Sequence, residues 1–398
     1  MGNDVVRVDP ELSVIKELQE AGGDTLKKCY QCATCSTVCP LSPDEAPFPR
    51  KHMILAQWGF KEKLLNDPGV WLCHQCGDCN KYCPRNARPG DVLAALRMLV
   101  IKEAMPFKAI YSLYNNVWGI PVLIGIALCW ILLATFATFG GVPNFFDASS
   151  FPYGGPHYEI LFLHLPARVL MVDVVFLPLA AIVIILMCNT LSRMWNAYLE
   201  NFNVPQAYRY GMWKILRTYL VPAIKEIIKH ERFVKCNVNN WRAMPHKMLI
   251  YAFIILAITT AVVFFMADIL GFHTPWSPLK HPVKLFGNVG AVLLIYGSIM
   301  MIAGRTKAVG EGAIKTSYAD LFLLYLLLII GLTGVGIEVV RSIPGIKNIT
   351  SLFYLGHLVA VFILFLGVLY SKFAHLIFRT MAMVFDLYYK DVVKKMES

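Results

Sequence analysis

The sequence predicts a mainly α protein in two parts, a polar cysteine-rich N-terminal segment followed by a transmembrane domain of six helices. Three observations carry that prediction. Of the 398 residues, 57% are hydrophobic and only 16% charged, where an ordinary soluble domain is about a quarter charged. Eight of the eleven cysteines fall between Cys29 and Cys83. The net charge of +11 is unevenly placed: residues 1–105 hold 13 basic and 13 acidic side chains, leaving 24 basic against 13 acidic for residues 106–398. Basic charge flanking apolar runs marks cytoplasmic membrane loops rather than nucleic-acid binding.

The first part, residues 1–105, begins polar, with no apolar core of a secretory signal ahead of the cysteines. Residues 10–28 are expected to form an amphipathic helix. The segment Leu41–Pro49 is turn-rich, and Arg50–Leu65 is apolar at helical spacing up to the turn Asp67-Pro68-Gly69. Asp91 is placed to cap a helix carrying Val92, Leu93, Leu96, Leu99 and Val100. Strand alternation is almost absent here, so this part reads as helical.

After Pro106 six runs approach or exceed the roughly 20 apolar residues that cross a bilayer, near 117–140, 158–188, 248–270, 285–303, 319–340 and 353–378. With the N-terminus inside, the outer loops 141–157, 271–284 and 342–352 contain no Lys or Arg, Lys280 and Lys284, and Lys347; the inner loop 189–247 holds ten. That bias places the cysteines and the C-terminus in the cytoplasm. There, clustered cysteines read as metal or cluster ligands rather than disulfides. Residues 205–235 read as a basic amphipathic helix for the membrane surface or a partner.

The cysteines form two matched quartets, Cys29-x2-Cys32-x2-Cys35-x3-Cys39-Pro40 and Cys73-x2-Cys76-x2-Cys79-x3-Cys83-Pro84. In this spacing one loop wraps three irons of a cubane and the fourth cysteine reaches the neighbouring cluster. One [4Fe–4S] cluster is therefore expected on Cys29, Cys32, Cys35 and Cys83, the other on Cys73, Cys76, Cys79 and Cys39. Zinc sites normally use two C-x2-C pairs, not duplicated quartets ending in Pro. His74 reads as a supporting or surface residue, and Cys129, Cys188 and Cys236 as small apolar fillers. No nucleotide loop or dinucleotide fingerprint is present.

Histidine is rare in membrane spans and usually functional there. His357 and His375 lie on the sixth run, eighteen residues apart, which on one straight helix is five turns, one face and about 27 Å. Two stacked haems need such a pair, with opposite ligands at matching depth: His164 for His357 at the outer haem, His246 for His375 at the inner one. Arg168 and Arg379 each follow a histidine by four residues and suit haem propionates; Asp173 is the rival partner for Arg168. His157, His273 and His281 are reserve ligands in outer loops, and His52 and His230 are expected to be solvated.

On these residues the chain resembles known families. The quartet pair resembles the HdrC family of heterodisulfide reductase components, an all-helical ferredoxin. The C-terminal half, with His357 and His375, resembles the cytochrome b components HdrE and nitrate reductase gamma. The fusion of the two resembles the QmoC family of quinone-interacting membrane-bound oxidoreductases. That resemblance implies haem b, two or one, and electron transfer between menaquinone and soluble flavin/Fe–S subunits (QmoA- and QmoB-like), linked to adenylylsulfate reductase in sulfate reduction. It implies a linear relay: quinol, outer haem, inner haem, membrane-near cluster, distal cluster, partner. Lys280 resembles a lysine near the quinone site of the gamma-type cytochromes, and Asp268 and Glu338 are candidate proton-exchanging groups there; interfacial snorkelling is the plainer reading of Lys280. The gamma-type cytochromes carry two histidines ten apart on an earlier helix, whereas the run Leu249–Leu270 has none.

A complete heterodisulfide reductase would carry a CCG-type motif, and no adjacent cysteine pair occurs. A membrane component of a reductase of that kind, with electrons flowing the other way, stays open as the alternative. A transporter would favour paired repeats, which the sequence lacks.

Overall fold

The computed structural model describes residues 10–43, 47–139, 171–270, 280–343 and 347–397. Among these residues the regular elements are all helical, so the mainly α expectation holds. In the N-terminal part, α1 (Leu12–Leu18) buries Val14 and Leu18. It unwinds at Gly22, whose φ of +108° suits glycine, so the single helix expected over 10–28 is broken. The expected helix 50–65 is likewise two, α2 (Arg50–Gln57) and α3 (Lys61–Leu65). Between them Gly59 sits at φ +69°, where a Cβ would stand 2.9 Å from the Glu11 carbonyl oxygen.

The centre of this part is α4 (Pro89–Ala104), buried from Pro89 to Ile101 except at Ala94. Pro89 opens it, as suits a residue without an N–H. Asp91 is not its cap: it accepts a hydrogen bond from Arg88 Nε at 2.6 Å inside the first turn.

The apolar runs become α5 (Lys108–Tyr114), α6 (Gly119–Phe139), α7 (Met171–Asn201), α9 (Ala243–Phe264), α10 (Pro282–Gly310), α11 (Tyr318–Arg341), α12 (Lys347–Gly367) and α13 (His375–Glu397); α8 (Val221–Lys229) lies between α7 and α9. Among the described residues four helices are long and apolar enough to cross a bilayer, or six if two bent pairs each count as one span. The chain is built as a membrane protein. Gly290 and Gly297 let α10 lie close on α9, since a Cβ at Gly290 would come 2.8 Å from Ile255 and one at Gly297 3.2 Å from Leu249.

The sixth run is not one straight helix. α12 and the segment beginning at Lys372 meet at 55°. The Tyr114 hydroxyl donates to the Ile363 carbonyl at 2.6 Å, and its ring fills the place where a Gly367 side chain would be. The next turn is re-started by Ser371, whose extended backbone and Oγ cap the amide of Phe373 at 3.1 Å. His357 and His375 therefore sit on two differently directed helices, which corrects the shared-face reading. The break is tied to α10 and α11 by a buried ion cluster in which Asp320 takes both Arg305 (3.0 Å) and Lys372.

Helical structure continues from Met212 through a wider turn into α8, burying Ile215, Tyr219 and Ala223 and exposing Trp213, Leu216, Val221 and Ile224.

Candidate redox site

The two quartets fold alike. In each, the residue before the second cysteine and the one after it take left-handed backbone: Gln31 and Ala33 in the first, Gln75 and Gly77 in the second. A short helical turn follows in each case, Thr34–Thr37 and Asp78–Lys81. This curl turns amides toward sulfur. Gln75 N–H lies 3.3 Å from Cys73 Sγ, and Ala87 N–H 3.3 Å from Cys83 Sγ. The amides of Gln31, Thr34 and Leu41 address Cys29, Cys32 and Cys39 in the same way.

The thiols interact in two sets. Cys35 lies in the field of Cys29, Cys83 and Cys32. Cys39 lies in that of Cys73 and Cys76, and Cys79 chiefly in that of Cys73, Cys76 and Cys39. The fourth cysteine of each quartet thus keeps company with the other quartet. Burial, then the neighbouring thiols, pushes Cys35 up to about 11; burial likewise pushes Cys39 up to about 12. Such thiols ionise only when a cation takes the proton's place. The ligands of a cubane serve different irons and need not meet at one point; among the described residues no three metal-ligating side chains do so. The first set includes the exposed Cys32, while Cys73, Cys76 and Cys79 are buried.

The second quartet is enclosed by the membrane part. Asp78 accepts the amides of Asn237 (3.1 Å) and Val238 (2.8 Å), and Asn239 Nδ2 donates to the Cys76 carbonyl at 2.6 Å. Cys236 is no mere filler: its buried thiol donates to the Arg232 carbonyl at 3.7 Å and interacts electrostatically with Cys76. Three guanidiniums converge on the loop. Arg97 donates to the Val70 and Cys73 carbonyls, Arg242 to those of His74 and Gln75, and Arg379 to those of Trp71 and Cys73, all at 2.6–3.0 Å. Among the described residues none of the three has a carboxylate partner. Buried cations require a counter-charge, and a four-thiolate cubane is an anion.

Beside this loop lies a narrow cleft of about 30 Å³ that includes His74, His230, His246, His375 and Arg379 in its wall. The ring centres of His246 and His375 are 6.2 Å apart with planes at 61°. Two imidazoles bound to one iron from opposite sides, with bonds of about 2 Å, have their centres about 6 Å apart. Their tautomers follow from their partners. His230 Nδ1 faces the Ile228 carbonyl (3.1 Å), so it carries the proton, and its Nε2 accepts from His246 Nδ1 at 2.9 Å. His375 Nδ1 must donate to the Lys372 carbonyl at 2.6 Å. Both ligand candidates therefore present a bare Nε2, with the second nitrogen held as metal-bound histidines generally require.

Several expectations are corrected here. His230 is buried, not solvated, at the break after α8 with φ +58°. His52 is also buried, against Asp67 at 3.5 Å. His74, expected as a supporting or surface residue, is half-buried, and both its ring nitrogens are buried without a hydrogen-bond partner. Arg379 spends its Nε and Nη2 on the cysteine loop, leaving Nη1 for the cleft. Arg97 and Arg242 were not singled out in the sequence; the signal was an arginine inside the apolar stretch Val92–Ile101 and another just ahead of the His246 helix.

At the other end of the bundle, Thr333 gives its hydroxyl proton to the Ile329 carbonyl (2.7 Å) and accepts His357 Nδ1–H at 3.0 Å, freeing His357 Nε2. Its expected partner His164, with Arg168, His157 and His273, lies outside the described residues, as do the side chains of Asp173 and Asp268. Glu338 pairs with Lys284, not Lys280, which is exposed.

Residues 166–389 match the family described as citrate utilization protein B, and residues 25–87 the 4Fe-4S dicluster domain. The chain belongs to the citrate utilization protein B family. Its cysteine part is similar to curated proteins. One, from Archaeoglobus profundus, is described as like the C component of heterodisulfide reductase; it is 33% identical over 110 residues, 26% of this chain and 58% of that protein. Another is the C component of the H(2):CoB-CoM heterodisulfide,ferredoxin reductase of Methanothermobacter thermautotrophicus, 36% identical over 91 residues, 23% of this chain and 48% of that one. The chain spans about half the length of the curated relatives it matches. No solved structure matches. The family domain supports iron–sulfur clusters in this chain, and the relatives are redox subunits.

Proposed function

We propose that this chain is the membrane electron-transfer subunit of a multi-subunit oxidoreductase, passing electrons between a quinone and soluble flavin/iron–sulfur subunits. The observation that carries the reading is the cleft in which His246 and His375 present bare Nε2 atoms, their ring centres 6.2 Å apart, beside the Cys73 loop. The division falls at residues 105/106, with the cysteine part cytoplasmic by the charge bias of the loops. Cys73, Cys76, Cys79 and Cys39 hold the membrane-near cluster, and Cys29, Cys32, Cys35 and Cys83 the distal one, nearest a partner. His246 and His375 hold an inner haem b; His357 and His164 hold an outer one.

Bound haem and cubane centres supply reversible one-electron chemistry. The chain's own residues do the rest. Lys372 and His230 fix the imidazole tautomers, while Arg97, Arg242 and Arg379 balance the charge of the thiolate set and favour its reduced state. Phe233 and Phe378 close the gap between the parts, Phe233 5.0 Å from the His246 ring and Phe378 5.0 Å from Trp71. For the quinone, menaquinone is the substrate implied by the family resemblance, and Glu338 with Lys284 supports a proton-exchanging pair near His357's end of the bundle. Lys280 and Asp268 remain candidates for the same site. QmoA- and QmoB-like partners and a link to adenylylsulfate reductase rest on resemblance. The second reading, which the likeness to heterodisulfide reductase components supports, is the membrane subunit of such a complex; reversed electron flow is part of that alternative.

The test is compositional. Purified full-length protein should contain about eight acid-labile sulfides and about ten irons, eight from the clusters and two from haem, and show a b-type haemochrome spectrum. His246→Ala and His375→Ala should each lose one haem while the iron–sulfur signal persists. A colourless protein, or zinc in place of iron, overturns the proposal.

A further inference from the structure

We infer that His74 and Arg379 form a carboxylate subsite in the cleft, taking a propionate of the haem held by His246 and His375, so that one residue touches both a cluster ligand and the haem. This rests on the inner-haem reading above.

His74 follows Cys73 directly, and the Cys73 carbonyl is already gripped by Arg97 and Arg379. Its ring stands edge-on to Phe233 at 4.6 Å, and Phe233 in turn packs at 5.0 Å from His246. Both of its nitrogens are buried with no protein partner, although the ring forms part of the cleft wall. A buried imidazole with nothing to bond is costly. The surroundings determine what would relieve it. The guanidiniums of Arg379, Arg232, Arg97 and Arg242 all bear on the ring. Of these only Arg232 has carboxylate partners, Glu226 at 2.5 Å and Asp386 at 3.4 Å. A second cation is therefore the wrong ligand, and an anion with acceptor oxygens is the right one. Arg379 Nη1 and one His74 N–H supply two donors, which suits the two oxygens of a carboxylate.

A haem propionate and a free carboxylic acid share that chemistry. The experiment that separates them is a binding titration on the full-length protein produced without haem, using haem and its dimethyl ester, which keeps the iron and ring but has no carboxylates. Haem should bind roughly tenfold or more tightly than the ester, the scale of one charge-assisted hydrogen bond. His74→Ala should weaken haem binding by that factor, leave ester binding unchanged, and shift the optical midpoint of the inner haem alone; His74→Gln, which keeps a donor, should restore most of it. Equal affinity for haem and ester in the unaltered protein overturns the inference, and that comparison needs no variant to fold. If His246→Ala and His375→Ala retain their haem, the inner-haem reading itself is what fails.

Discussion

His246 gives its Nδ1 proton to Nε2 of His230, 2.9 Å away, and His230 can receive it because its own Nδ1 proton is committed to the Ile228 carbonyl. A residue from the turn after α8 thereby decides which nitrogen of an α9 histidine is free. His230→Ala removes that lock. Supporting groups of this kind typically cost 10- to 100-fold in metal affinity when removed. We expect haem content to fall and the midpoint of one haem to move in an optical redox titration, with the other unchanged. Unaltered content and midpoint would show that His230 does not orient a ligand.

The crossing of the fourth cysteines has a direct test. Cys39→Ser belongs by sequence to the first quartet, yet it should abolish the electron paramagnetic resonance signal of the buried cluster and spare the exposed one. Cys83→Ser should do the reverse. Loss of the signal belonging to each cysteine's own quartet would contradict the crossing.

Asp67 is buried between Lys51 (2.6 Å) and His52 (3.5 Å). Burial alone would raise its pKa, but the interactions with His52 and Lys51 outweigh it and hold the carboxyl well below its ordinary value of 3.8. A carboxyl depressed on folding contributes stability that is present above its unfolded pKa, near 4, and lost as the pH falls through the folded value. Asp67→Asn should therefore cost about 1–3 kcal/mol at pH 7, discounted because Lys51 is partly exposed. Thermal unfolding of the two proteins should converge as the pH is lowered below 4. A constant difference down to pH 2 would argue against the pairing.

Tyr114 and Gly367 share one space at the break before α13. Gly367→Ala puts a Cβ 2.7 Å from Tyr114 Cε1, and overpacking of that kind costs about 1–3 kcal/mol. Tyr114→Phe removes the bond to the Ile363 carbonyl and should cost about 1 kcal/mol. Both are read as a lower midpoint in detergent unfolding curves; an unchanged midpoint for Gly367→Ala would mean that the break is not fixed by Tyr114.

The quartets were legible because ligand spacing is a local, covalent property: Cys29 to Cys35 and Cys73 to Cys79 carry their geometry in the intervals. The apolar runs were legible for a similar reason, since crossing a bilayer depends on length and composition alone. What escaped was tertiary. The break between Gly367 and Lys372 lies in a run with no proline, and Tyr114, which occupies the space beside it, is some 250 residues away in sequence. His230 and His74 looked like ordinary polar residues because nothing near them in sequence shows that α9 and α13 will cover them. Cys236 stands alone in the chain, and its place against Cys76 depends on the whole approach of residues 236–242 to the second quartet.

That approach has a kinetic meaning. Asn237, Val238, Asn239 and Arg242 hold the Cys73–Cys79 loop from the stretch that runs straight into α9 and His246. The gap an electron must cross is set by bonded neighbours and not by a tethered head swinging to and fro. Transfer across it should be indifferent to the viscosity of the medium.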